Sequence, residues 1–278
     1  MGSARRRGLP LPRARLSAGT LSRVPEEIAL GGNLNDAVRI GNTVHRRAGP
    51  WTPATHSLLR FLEKRKFPAP RVRGIDEKGR EILQYIRGEV HSGTFEALPD
   101  RVWADEHLIA AAKLLRKYHD VVSAYEPPAD ARWRLVAPTR FEVICHNDWS
   151  PWNGLFRDGR FQLMLDWDLA GPGTRAWDVA NAAYCWAPLT FDQGRSPKIE
   201  EQVRRLRLFV DAYGFEDRAE LLPTLRLRLQ HVARFIHEQA ERGDPGMRRL
   251  VWWNVPAQMS EDDVRYLNEN RAAIERAL

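Results

Sequence analysis

Apolar and polar positions change their spacing about a third of the way along the chain. Up to residue 86 they alternate in short runs. Ala37-Val38-Arg39-Ile40 and Thr43-Val44-His45-Arg46 flank Gly41-Asn42 and predict a β-hairpin. Residues 72–75 and 81–86 flank Asp76-Glu77-Lys78-Gly79 and predict a second one. Between them, residues 53–66 have helical spacing, with Leu58, Leu59, Phe61 and Leu62 on one side. Thr52 is the expected N-cap of that helix and Pro53 its first residue. Beyond Gly88 the spacing is helical over 102–122, 176–186, 198–213, 216–241 and 260–277. A single apolar run, Phe161-Gln162-Leu163-Met164-Leu165, predicts the second strand of a small hairpin. The pattern is that of an α+β chain. It predicts a small antiparallel-sheet lobe over 24–87 and a larger, mostly helical lobe over 88–278, with a ligand cleft between them.

Charge adds a third segment. Residues 1–144 carry 25 Lys and Arg against 16 Asp and Glu, whereas residues 145–278 carry 18 against 20. Six of the early arginines lie within residues 1–23 and are not interleaved with aromatic residues. That composition predicts a solvated, disordered tail rather than a nucleic-acid arm. No apolar run approaches the ~20 residues of a membrane-spanning helix. Two cysteines, Cys145 and Cys185, form neither a disulfide framework nor a zinc quartet, so the cytoplasm is the expected compartment.

The densest chemistry lies in Cys145-His146-Asn147-Asp148-Trp149-Ser150-Pro151-Trp152-Asn153, with Asp166 thirteen residues beyond Asn153. Phosphoryl transfer needs one carboxylate to orient the acceptor hydroxyl and take its proton. It also needs two oxygen ligands for the magnesium that bridges the nucleotide phosphates. Asp148 suits the first role. Asn153 and Asp166 suit the second, because a hard cation prefers amide and carboxylate oxygens. Asp168 is either a further ligand or an ordinary loop carboxylate.

These residues, with the segment from Gly171 to Ala180, resemble the aminoglycoside phosphotransferase family, also called the phosphotransferase enzyme family. Leu114-Leu115-Arg116-Lys117-Tyr118-His119 is similar to the helix before that family's catalytic loop. Leu30-Gly31-Gly32-Asn33-Leu34-Asn35 resembles its nucleotide loop, and Leu83-Gln84-Tyr85-Ile86-Arg87-Gly88-Glu89 its hinge. The resemblance implies a protein-kinase-like fold and a kinase of small-molecule hydroxyls, with ATP or GTP and Mg2+ as cofactors. It implies that Gly31, Gly32, Asn33 and Asn35 lie near the phosphates and that Gln84 and Ile86 lie near the purine. It gives His146 a structural role in the loop and makes Asp178 a helix-entry carboxylate supporting it.

Two family features are not evident. The strand that usually carries a nucleotide lysine has His45, Arg46 and Arg47, and alternation from Val44 selects Arg46 as the substitute cation. The following helix has Thr55, His56 and Ser57 where a partner glutamate is expected. An antibiotic is the leading acceptor by resemblance. A kinase of another metabolite, a nucleotide-binding pseudokinase or scaffold, and a basic nucleic-acid binder remain alternatives.

Overall fold

Gly41, at φ +59°, turns the chain between β2 (Val38–Ile40) and β3 (Thr43–Arg47), so that Arg39 pairs with Val44. The computed structural model describes residues 26–30, 37–91, 98–190 and 197–278. The basic tail and the predicted phosphate contacts Gly31, Gly32, Asn33 and Asn35 lie outside them. The hairpin belongs to an antiparallel five-stranded sheet in the order β1-β2-β3-β5-β4, where β1 is Glu27–Ala29, β4 Val72–Ile75 and β5 Arg80–Gln84.

One helix, α1 (Thr52–Lys64), lies between β3 and β4 in the chain. Thr52 is not its cap. Trp51 holds that position without a side-chain cap, and the Thr52 hydroxyl instead accepts the Gly49 N–H at 2.9 Å. The loop amide takes the oxygen that a helix amide would have used. Leu58, Leu59 and Leu62 of α1 are fully buried in an apolar cluster shared with Leu108, Ala111 and Leu115 of α2 (Asp105–Val122). At ~25 cal/mol per Å2 of apolar area, each such leucine contributes about 1.5–3 kcal/mol.

The rest is mostly helical. β6 (Val143–Cys145) pairs with β9 (Gly171–Gly173), and β7 (Gly154–Arg157) with β8 (Arg160–Met164). Helices α3 (Arg175–Trp186), α4 (Ile199–Tyr213), α5 (Leu221–Glu241) and α6 (Pro245–Trp252) follow, then a short α7 (Val255–Ala257), α8 (Val264–Glu269) and α9 (Arg271–Ala277). The helix predicted from 216 begins at 221 after a 3-10 turn, Arg218–Glu220. The sequence pattern omits α6, which is set off by its N-cap: Asp244 accepts the amides of Gly246 and Met247 at 2.9 and 3.1 Å. The single helix predicted over 260–277 is broken. Gln258–Asp263 is a widened π turn whose fully buried Asp263 accepts hydrogen bonds from Tyr184 Oη and Thr190 Oγ1, and the helix ends again at Asn270. Among the described residues no helix is long and apolar enough to cross a membrane.

Gly171 marks a close approach of two backbones. A Cβ there would sit 1.9 Å from the Leu135 carbonyl oxygen. Gly171→Ala should therefore cost about 1–3 kcal/mol of stability, the usual range for overpacking. Urea unfolding checks this, and an unchanged midpoint would mean that the backbone yields at no cost.

Candidate active site

The predicted catalytic loop leaves β6 at Cys145 and is held by a carboxylate from the next helix. Asp178 of α3 accepts the His146 amide at 2.7 Å on Oδ2 and the Asn147 amide at 2.9 Å on Oδ1. His119 of α2 lies 3.1 Å from the same Oδ2. Burial opposes the charge on Asp178, but these hydrogen bonds and the neighbouring histidines hold its carboxyl below the usual range. Its supporting role is the one expected from the resemblance. Cys145 is buried, its Sγ faces the Thr174 carbonyl, and burial pushes its thiol well up, so it packs as a small hydrophobe.

His146 is also fully buried. Its Nε2 donates to the Leu165 carbonyl at 3.0 Å and its Nδ1 accepts the Asp148 amide at 3.2 Å, a pattern that needs the proton on Nε2. Burial pushes the imidazole down to about 4, so it stays neutral and serves as a brace between the loop and the residue before Asp166. Asn147 has φ +67°, a left-handed conformation that Asn tolerates better than most residues.

Asp148 follows directly. Burial, and then the nearby Asp166 charge, raise its carboxyl to about 6. Asn153 ends the 3-10 turn Pro151–Asn153, and its Nδ2 donates to the Asp148 carbonyl at 3.1 Å. Among the described residues its Oδ1 accepts no hydrogen bond. Asp166, just beyond β8, has φ +53°, and the Leu165 amide donates to the Asn153 carbonyl at 2.9 Å. That bond ties the chain beside Asp166 to the chain at Asn153.

Arg46 joins the sheet to this loop system. Its side chain is buried, whereas that of Arg47 is 41% exposed, so alternation from Val44 selects the inward residue correctly. Arg46 donates from Nε to Glu81 at 2.5 Å, from Nη1 to Asp166 at 2.7 Å and from Nη2 to Asp168 at 2.5 Å. The missing glutamate partner is therefore present, but on β5 instead of α1. His56 of α1 lies 2.9 Å from the other Glu81 oxygen. Asp168 also faces Arg134 at 3.5 Å, and Arg134 reaches Asp244 at 2.9 Å. The Arg134 guanidinium lies 4.3 Å from the centre of the Trp51 ring, which adds a cation–π contact.

Four carboxylates, Glu81, Asp166, Asp168 and Asp244, thus face three guanidiniums, Arg46, Arg47 and Arg134. Burial would raise the Glu81 carboxyl, but the Arg46 charge and the His56 hydrogen bond keep it low. Arg46 likewise holds Asp166 low against burial. Asp168 goes the other way: burial, with Asp166 and Glu81 close by, raises it to about 7 despite Arg46.

At the hinge, Gln84 spends its N–H on the Arg71 carbonyl (2.8 Å) and Tyr85 on that of Asn42 (2.9 Å). Ile86 has no backbone partner for its N–H or its carbonyl among the described residues. Arg157 donates through Nε and Nη2 to the Arg87 carbonyl, and Glu89 exchanges both backbone bonds with Phe156. The hinge is thereby docked on the β7–β8 hairpin that carries the segment leading to Asp166.

This arrangement has counterparts elsewhere. The sequence profile of the phosphotransferase enzyme family matches residues 128–223, from before β6 to the start of α5. The trifolitoxin immunity protein of Rhizobium leguminosarum bv. trifolii is 35% identical over 204 residues, which cover 68% of this chain and 74% of that protein. The chain belongs to the phosphotransferase enzyme family. It is accordingly a small-molecule phosphotransferase acting on hydroxyl groups. Its fold is shared with choline kinase LicA from Streptococcus pneumoniae, at TM-score 0.54, 14% identity and coverage of 90% of this chain and 95% of that one. It is shared also with the protein of the streptomycin–ATP–APH(2'')-IIa ternary complex, at TM-score 0.52, 16% identity and coverage of 78% and 86%.

In this phosphotransferase the predicted residues Arg46, Asp148, Asn153 and Asp166 come together, and Gln84 and Ile86 lie along the hinge. Glu81, Arg134 and Asp244 were not singled out for this cluster. Glu81 had a weak signal, since it alternates with Leu83 on its strand as Arg46 does with Val44. Four of the tryptophans around the motif, Trp149, Trp167, Trp177 and Trp186, are at most 1% exposed, so they pack the loop from behind.

Proposed function

We propose that this phosphotransferase transfers the γ-phosphoryl group of ATP or GTP to a hydroxyl of a small, exogenous toxic compound of the aminoglycoside-antibiotic kind. The observation that carries the reading is the half-buried Asp148, raised to about 6, beside Asn153 and Asp166. Asp148 accepts the proton of the acceptor hydroxyl, whose oxygen attacks the γ-phosphorus as the bond to the nucleoside diphosphate breaks. A carboxyl near 6 is ionised at neutral pH and still basic enough to take that proton.

Magnesium fits the residues present. Asn153 Oδ1 and Asp166 Oδ2 are hard oxygen donors without a hydrogen bond among the described residues. When bound, the ion supplies charge neutralisation to the β- and γ-phosphate oxygens. Arg46 steadies Asp166 and offers a further cation on the phosphate side, and Gly31, Gly32, Asn33 and Asn35 stand as the proposed phosphate loop. The free N–H and carbonyl of Ile86 match the edge of a purine better than Gln84 does, because the Gln84 amide is already spent. ATP in the APH(2'')-IIa complex supports nucleotide use. Similarity to a protein named for immunity to trifolitoxin supports a toxic acceptor. The pseudokinase alternative rested on the missing lysine together with the missing glutamate; Glu81 supplies the carboxylate partner, while Arg46 still stands in the lysine's place.

Asp166→Ala tests the metal assignment. It should weaken nucleotide binding in the presence of Mg2+ by about tenfold or more, and much less in its absence. Equal losses by calorimetry in the two conditions would mean that Asp166 only holds Arg46. Turnover with a panel of aminoglycosides, amino alcohols and sugars tests the acceptor class, and phosphorylation of metabolites alone would overturn the toxic-compound reading.

A further inference from the structure

Arg228, in the middle of α5, is 3% exposed and has no carboxylate within ion-pair distance among the described residues. A buried cation without a counter-charge is costly, and an apolar side chain of similar size would serve packing better. Its two terminal nitrogens are instead spent on one residue. Nη2 donates to the Asn147 carbonyl at 2.5 Å and Nη1 to the Asn147 Oδ1 at 3.1 Å. The guanidinium lies 5.2 Å from the centre of the Trp177 ring, and Trp177 Nε1 donates to the same Oδ1 at 2.9 Å.

Asn147 is the last residue before Asp148 and has a left-handed backbone, which Asn adopts more readily than most residues. Every polar group of Asn147 is engaged. Its N–H goes to Asp178 of α3 and its Nδ2 to the Leu169 carbonyl, just past Asp166 and Asp168. Among the described residues only Arg228 reaches its carbonyl. Without Arg228 the peptide between Asn147 and Asp148 keeps its donor side fixed and loses its acceptor side, so it is free to tilt and to carry the Asp148 side chain with it. A misplacement of about 1 Å at a reacting group can cost on the order of a hundredfold in rate.

We propose that Arg228 is a positioning residue for phosphoryl transfer: it locks the Asn147–Asp148 peptide and so aims the Asp148 carboxylate at the acceptor hydroxyl. The proposal rests on the reading of Asp148 as the group that takes the acceptor proton. It also explains why a cation stands in a helix interior that offers it no counter-ion. Its charge lies within electrostatic reach of Asp148 and works against the burial that raises that carboxyl.

The test measures phosphate release from Mg2+–ATP with water as acceptor, and ATP affinity by calorimetry, in the full-length parent, Arg228→Lys, Arg228→Ala and Asp148→Asn. Arg228→Lys keeps the charge but not the two-pronged bond, so kcat should fall about tenfold to a hundredfold. The ATP dissociation constant should stay within about twofold. Added guanidinium ion should restore part of the rate of Arg228→Ala and none of the rate of Asp148→Asn. Amide exchange gives a reading independent of turnover: residues 146–148 should exchange faster in both Arg228 variants while α3 and α5 keep their protection. Parental kcat in Arg228→Lys with an inactive Asp148→Asn would overturn the Arg228 inference alone. Parental release by Asp148→Asn would overturn the reading of Asp148 beneath it. Parallel loss of kcat, ATP affinity and α5 protection without rescue would make Arg228 merely structural, and unchanged exchange at 146–148 would also refute the lock. If Arg228→Ala does not fold, Arg228→Lys decides.

Discussion

Asp148→Asn is expected to lower turnover by about 10²–10⁴-fold, the usual contribution of a positioned general base. The protein should remain folded and bind nucleotide as before. The amide keeps the shape and can still accept the Ser150 hydroxyl, which donates to Asp148 Oδ1 at 3.3 Å. The substitution should even raise the melting temperature. The folded-state carboxyl is raised to about 6 from an ordinary value near 4, so the ionised form is the disfavoured one. The penalty is absent below pH ~4, grows as pH rises towards 6 and is complete above it. Removing the charge should therefore add roughly 1–3 kcal/mol at pH 8 and almost nothing at pH 4. The pH profile of kcat/KM in the parent should accordingly fall on the acid side of about 6, where the base becomes protonated. Undiminished turnover in Asp148→Asn, with an acceptor known to be phosphorylated, would end the assignment.

Arg46→Ala should unfold the protein more readily than any single exposed-residue change. It leaves Glu81 and Asp168, 2% and 3% exposed, without their main counter-charge, and breaking a buried ion network from one side typically costs 3–5 kcal/mol. The loss should be largest at high pH and shrink as pH falls, because the stranded carboxyls can then take up protons. Arg46→Lys should recover only part of the stability, since one ammonium cannot reach three carboxylates with fixed geometry. Arg47→Ala should cost no more than about 1 kcal/mol, because the Arg47 side chain is 41% exposed and shares Asp244 with Arg134. Urea titrations at two pH values, with ATP calorimetry on the variants that stay folded, separate the structural from the nucleotide role. If Arg46→Ala is as stable as the parent at both pH values, the network carries no stability. If Arg47 is the sensitive residue, the ion cluster does not govern this face of β3.

The network also changes what Arg46 means. From the strand pattern it is a lysine substitute whose removal weakens nucleotide binding. In the fold it links the sheet, through Glu81, to the segment that carries Asp166 and Asp168. A nucleotide-bound state in which Asp166 turns to a metal ion would therefore loosen one of its three bonds. In that state, nucleotide binding would be coupled through this side chain to the fit of the sheet against the helical lobe.

The local elements, and the gathering of the proposed reacting residues in one place, were legible from sequence by itself. Gly41-Asn42 between alternating strands leaves a hairpin as the low-energy choice, and helical spacing with buried leucines marks α1, α2 and α4. The run from His146 to Asp166 could be read because its chemistry sits within one short stretch, where chain geometry keeps it together. Period also placed Arg46 inward, since a strand has only two faces. Tertiary structure alone decided whom Arg46 meets. Asp166 and Asp168 lie 120 and 122 residues away, and Glu81 lies opposite it only because β5 inserts between β3 and β4 in the sheet. No local pattern encodes that strand order, so the absence of a glutamate from α1 looked like a missing partner. The same holds for Arg228, which on its own helix is an arginine among arginines. It becomes part of the site only because α5 packs against α3, and that packing is the sum of many apolar contacts rather than the property of any one residue.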